Sequence, residues 1–248
     1  MKILASGSTD VGRVRQTNQD SFLVDLNEML FMVADGMGGH AGGEVASRVC
    51  IEEARDYLRA HGSMMKESGG SHPDARLASL LCEAINHAST RVYEKALEEP
   101  DLKGMGTTGT LLKLVPGHAY CAHVGDSRLY LIREGFIYQI TFDHSLVSEQ
   151  LRAGLITKEQ AKIHDRKNVI TRSVGYQEQE DVDSFNLPTQ PGDLFILSSD
   201  GLHGKLNDDE ISNYCRKLSC DAVAPLIAQA NERGGEDNIT AIVIHVKS

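Results

Sequence analysis

Four aspartates stand where apolar runs stop or start: Asp35 in VADG, Asp126 in HVGDSR, Asp200 in LFILSSDG, and Asp237 in GGEDNIT just before the last apolar run. Aspartate is a common turn former, so one such residue reads as a turn. Four in one chain read differently. Carboxylates gathered at one end of a sheet structure repel one another and need a cation to be stable together. Oxygen ligands without a Cys/His cluster select a hard ion, Mg2+ or Mn2+. A pair of such ions acidifies the water between them towards a pKa of roughly 7, which makes hydroxide available at neutral pH. The substrate this chemistry implies is a phosphate ester, whose phosphate an arginine would grip bidentately. Arg15, in GRVRQTNQDSF, is the candidate, because it precedes the first strand and shares its segment with Asp20.

The elements that must position these residues are legible in outline. LFMVADGMGGHAGGEVAS, residues 30–47, runs from an apolar strand into Asp35, then through glycines at 36, 38, 39, 42 and 43 into a helical pattern. Such glycines let backbone approach something closely. Residues 21–25 and 28–35 form a hairpin, and residues 44–59 and 75–97 carry helical spacing, with a Gly/Ser-rich loop over 61–74 between them. Residues 107–115, 118–125, 127–133 and 136–141 read as successive hairpins of one antiparallel sheet. Residues 142–172 break that pattern with short helical pieces, Thr157 and Gln160 forming a capping box, and read as a flap over one edge of the fold. Strands return at 182–187 and 193–199. Helices follow, one capped by Asn207 and Glu210 and one over 221–233, and a strand over 239–246 closes the chain. Strand runs with helices in pairs between them predict an α+β fold of layered antiparallel sheets covered by helices.

Bulk properties exclude several classes. The 248 residues suit one large domain, 1–248, and no Pro-rich or charged linker divides them. A net charge of −10 without a basic cluster argues against nucleic acid or an anionic membrane as partner. No apolar stretch approaches the roughly 20 residues of a membrane span, and the N-terminal apolar stretch is short for a signal peptide, so the expected location is cytoplasmic. The five cysteines form no CxxC pair, which disfavours disulfides and zinc. Neither Cys50 with Arg55 nor Cys121 with Arg128 has the spacing of a phosphate-cradling thiol loop. Residues 36–41 fit GxGxxA, the dinucleotide fingerprint, but the Gly/Ser-rich loop follows the helix where a second parallel strand ending in an acid is needed.

RVRQTNQDSF, VADGMGGHAGGEVAS, GTTGTLL, HVGDSRLYLIREG, ITFDHSLV, ITRSVG, LSSDGL and GGEDNIT stand in the order seen in bacterial metal-dependent serine/threonine protein phosphatases of type 2C. The chain resembles that family from Gly7 to Val246. The resemblance implies a four-layer αββα sandwich, two antiparallel sheets flanked by helix pairs. It implies hydrolysis of phosphoserine and phosphothreonine by a metal-bridging water, with two catalytic Mn2+ or Mg2+ ions and scope for a third. By the same resemblance Asp35 bridges both catalytic ions, the Gly36 carbonyl binds one, and Asp200 and Asp237 bind the second. Asp126 and Asp200 match the third, Arg15 the phosphate-binding arginine, and Asp20 the carboxylate that hydrogen-bonds bound water. Phosphoproteins and a cognate serine/threonine kinase are the implied partners of a monomer.

Three positions depart from the family's pattern. Gln19 stands where many members have Glu. Met37 stands where eukaryotic relatives place a histidine proposed as general acid, and Met cannot donate a proton. His40 is the candidate substitute, with a loop or helix-start histidine as the alternative. Gly204 stands where an acidic residue often supports the third ion. A catalytically weak or dead phosphoprotein-binding homologue is the competing reading. A pure binder has no need of Asp35, Asp200, Asp237 and Arg15 together.

Overall fold

A computed structural model describes residues 2–38, 42–62, 75–166 and 168–247. Two sheets form its centre, and every strand pair in them is antiparallel. In one sheet β2 (Asp20–Asp25), β3 (Leu30–Met37), β5 (Gly109–Val115), β6 (His118–Val124) and β9 (Asp183–Pro188) lie side by side, and β4 (Gly106–Thr107) pairs with the end of β3. In the other the order is β1 (Lys2–Asp10), β11 (Ile239–Lys247), β10 (Leu194–Ser198), β7 (Arg128–Arg133) and β8 (Phe136–Gln139). With only antiparallel neighbours, β3 cannot open a dinucleotide-binding βαβ unit.

Period-two alternation divides each strand between two cores. Phe31 and Val33 of β3 meet Leu129, Leu131, Phe195, Leu197, Ile242 and Ile244 between the sheets. Leu30, Met32 and Ala34 face outward onto α1 (Gly42–Ala60) and α2 (Ala75–Glu98). Tyr130, Ile132, Ile196 and Val243 face outward on the other side, onto α6 (Asp208–Leu218) and α7 (Val223–Glu232). Strands apolar on both faces are what two covered sheets require. The expected four-layer αββα sandwich is the architecture found.

Three expectations need correction. β6 and β7 are not a hairpin: the chain leaves one sheet at Val124 and joins the other at Arg128, so the segment 107–141 serves both sheets. β1 escaped the sequence reading, because it is an edge strand whose residues are mostly half-buried and carry no apolar alternation. Arg15 therefore follows the first strand, in the loop from β1 to β2. The flap holds α3 (Leu146–Arg152) and α4 (Lys158–Lys162), the latter started by the capping box of Thr157 and Gln160. Asn207 and Glu210 cap α6 as expected. Most of the 61–74 loop lies outside the described residues, within which no helix is long and apolar enough to cross a membrane.

Candidate active site

Antiparallel pairing brings the acidic positions to one end of the sandwich. Asp20 opens β2 and is the register partner of Asp35 near the end of β3. Asp200 follows β10 and begins the short helix α5 (Asp200–His203), and Asp237 precedes β11, the strand paired with β10. Asp126 sits on the crossing between the sheets. A cleft of about 620 Å3 is lined by Asp35, Asp126, Asp200 and Asp237 with Arg15, Gly36 and Met37. Its far wall is the returning arm of the flap, Asn168 and Ile170 to Ser173. His40 lies outside the described residues.

Gly36 explains why α1 can start so close to this cleft. A Cβ on Gly36 would stand 2.0 Å from the Gly43 carbonyl oxygen and 2.5 Å from that of Gln19. Any side chain there would push the helix start off the strand.

The carboxyls are in mutual electrostatic reach. Burial raises the Asp35 carboxyl well above the usual carboxylate range, and Asp20, Asp200, Asp126 and Asp237 each push it further. Asp20 rises to about 6, chiefly by burial, against hydrogen bonds from Thr240 and Ser199 and with Asp200 and Asp237 adding to the rise. Asp126 rises to about 7 through burial and through Asp200 and Asp143, opposed by Arg128. Asp200 is raised by burial and by Asp237. A bound cation would oppose these shifts by stabilising the ionised carboxylates.

Asp20 is held asymmetrically. Its Oδ2 accepts hydrogen bonds from the hydroxyls of Ser199 at 2.7 Å and Thr240 at 2.6 Å. Its Oδ1 is buried without a hydrogen-bond partner. An orphaned carboxylate oxygen beside four further carboxyls is what a hard cation or its water shell would satisfy. No three acidic, histidine or cysteine side chains close on one point among the described residues. The donors are all oxygens, which fits a hard ion such as Mg2+ or Mn2+. Arg15 Nη2 donates to Asp237 Oδ2 at 2.9 Å. Both side chains are well exposed, at 52% and 38%, so the pair is weak enough to be exchanged for a phosphate.

The sequence profile of the protein phosphatase 2C family matches residues 12–242. The chain belongs to the protein phosphatase 2C family. It is therefore an enzyme, a phosphatase of that type. A curated relative, serine/threonine phosphatase stp of Listeria welshimeri, is 37% identical over 241 residues, covering 95% of this chain and 93% of the relative. The crystal structure of the Mycobacterium tuberculosis serine/threonine phosphatase PstP/Ppp superposes with a TM-score of 0.88 at 32% identity, covering 99% of both chains. The catalytic domain of PstP in complex with two manganese ions superposes with a TM-score of 0.85, also at 32% identity and 99% of both chains.

Within this 2C-type phosphatase, several polar residues around the cleft escaped the sequence reading. Ser199 and Thr240 hold Asp20. Asn238, 4% exposed, bonds to three residues of the β1–β2 loop, Val11, Thr17 and Gln19. Arg172 lines the cleft while its Nη1 donates to Asp183 Oδ1 at 2.9 Å. The available signal was a buried-type polar residue at the mouth of an apolar strand, as in DNITAIVI, whose partners sequence alone does not name. The thiols stay out of this chemistry. All five are free, and burial pushes Cys50 and Cys215 up to about 12 and Cys121 up as well.

Proposed function

We propose that the chain, acting as one domain over residues 1–248, hydrolyses phosphoserine and phosphothreonine in proteins in a Mn2+- or Mg2+-dependent reaction. The observation that carries this reading is the convergence of Asp35, Asp126, Asp200 and Asp237 with Arg15 on one cleft, with Asp20 the register partner of Asp35 and within its electrostatic reach. Asp35, Asp200 and Asp237 with the Gly36 carbonyl would hold two ions, and Asp126 with Asp200 a third. Gly204, four residues after Asp200, supplies no acid, so the third site would be the weakest. Bound in this cleft, the ions would acidify water and neutralise phosphate charge.

The chain's own residues do the rest. Arg15 leaves Asp237 and donates to the phosphoryl oxygens, where charge spreads as the bond to the leaving oxygen breaks. Asp20, with Oδ2 fixed by two hydroxyls, presents Oδ1 to orient the attacking water and take its hydrogen bond. Water attacks phosphorus in line and the serine or threonine oxygen leaves, with no phospho-enzyme formed. That oxygen takes its proton from solvent or from His40, since Met37 has none to give.

Hydrolysis of an aryl phosphate should require Mn2+ or Mg2+ and vanish with chelator. Asp200→Asn should lower kcat by at least about 100-fold, a typical loss when a group stabilising transition-state charge is removed. Wild-type turnover in that variant would exclude the metal assignment. Substrate proteins and an opposing kinase follow from phosphoproteomics of a strain lacking the protein.

A further inference from the structure

We infer that Asn238 is the positioning residue for Arg15, clasping the loop that carries it at a fixed height over the carboxylates. The inference rests on the reading of Arg15 as the phosphate ligand. Asn238 Nδ2 donates to the Val11 carbonyl at 2.9 Å and to the Thr17 carbonyl at 3.0 Å. These two carbonyls bracket a loop with exposed residues at 13–17, and Arg15 stands midway along it. One amide group thus closes both ends. Asn238 Oδ1 accepts from the Gln19 backbone N–H at 2.8 Å, next to Asp20. Its own backbone N–H donates to Asp237 Oδ1 at 2.8 Å, leaving Oδ2 of that carboxylate to meet Arg15.

The remaining contacts make the clasp rigid. A Cβ on Gly201, beside Asp200, would stand 2.0 Å from the Asn238 carbonyl oxygen, so that residue is wedged against α5. Arg13 N donates to the Gly235 carbonyl at 2.7 Å, a second tie between the loop and the segment before β11. Asn238 therefore touches the segments of Arg15, Asp20, Asp200 and Asp237. Its side-chain bonds, however, go to the Arg15 loop at both ends and to Gln19. An amide is the side chain that can do this. It offers two donors to two carbonyls and one acceptor to an N–H, where Asp would repel both carbonyls and Ser would reach one at most.

The test is a double-mutant cycle on aryl phosphate hydrolysis, with inorganic phosphate inhibition and Mn2+ titration calorimetry as independent readouts. Asn238→Ala should raise KM and the inhibition constant for phosphate together, by about 10-fold, the scale of one misplaced charged contact. It should change kcat and Mn2+ affinity by less than about 3-fold, within the spread of indirect effects. In an Arg15→Ala background the same substitution should add no further change in KM. An additive effect, or loss of Mn2+ affinity in place of phosphate affinity, would overturn the proposal. If Arg15→Ala itself leaves KM unchanged, the reading of Arg15 fails. If Arg15→Ala raises KM and Asn238→Ala does not, the clasp alone fails. Should Asn238→Ala not fold, Asn238→Ser is read in the same way. Failure of both to fold would overturn the specific role, making Asn238 a general structural residue.

Discussion

Asp20 shows how an unremarkable sequence residue acquires a role. In TNQDSF it is one acid among 35, and only the fold supplies the two hydroxyls, Ser199 and Thr240, that fix one of its oxygens. Asp20→Asn keeps an acceptor for those hydroxyls and removes the negative oxygen. It should lower kcat by about 100-fold or more, the lower bound for losing a positioned proton acceptor, while KM moves little. Steady-state kinetics on an aryl phosphate decide it. An unchanged kcat would remove Asp20 from the mechanism. Met37 is the complementary case, because its meaning is an absence of chemistry. Met37→His should change hydrolysis of a phosphopeptide, whose alkoxide leaving group needs a proton, more than that of an aryl phosphate, whose leaving group does not. Equal effects on both would show that leaving-group protonation is not limited at that position. Residue types were readable from the sequence here, but their partners were not.

Among the elements, the flap bears most directly on substrates. Backbone bonds from Leu146 N to Val169 O and from Thr171 N to His144 O tie the two arms of its stem together, His144 N donates to the Gly125 carbonyl at 2.7 Å in the body, and the returning arm walls the cleft. The helices α3 and α4 between these ties supply none of the residues that line the cleft. Exchanging residues 142–172 for a relative's flap should therefore shift preference among phosphopeptides while leaving aryl phosphate hydrolysis nearly intact. Parallel loss of both activities would count against it. Capping boxes and periodicity located α4 and α6 correctly, because those signals act within a few residues. β1 and the division between β6 and β7 were missed for the opposite reason. Nothing local in GDSR says that the chain changes sheets there.

At the scale of the whole molecule, packing five carboxyls at one end of the sandwich is a stability problem that a cation would offset. The carboxyls of Asp20, Asp35, Asp126 and Asp200 all have folded pKa values above their ordinary 3.8, near 6 for Asp20 and near 7 for Asp126. These four carboxyls bind more protons folded than unfolded, so their contribution to stability falls as pH rises, while His123 and His203, lowered by burial to about 4 and about 3, oppose that trend below the unfolded histidine value of about 6.5. In chelator the melting temperature should therefore drop from about pH 6.5 to pH 8, above the histidine window, and Mn2+ should restore it most at pH 8. A metal-free melting temperature that rises over that range would contradict the clustering. The core is an independent contributor. Phe195, fully buried between the sheets, should cost about 3–5 kcal/mol on truncation to Ala, measured by denaturant unfolding. The sequence by itself determined the layered α+β class, the family and the identities of the acidic residues, because alternation, caps and ordered motifs are local records. Tertiary structure alone decided that Asp20 faces Asp35, that one oxygen of Asp20 is left unpartnered, and that Asn238 closes the Arg15 loop. Those facts depend on strand register and on contacts between residues more than 200 positions apart, such as Asn238 with Val11 and Thr17, which no local pattern encodes.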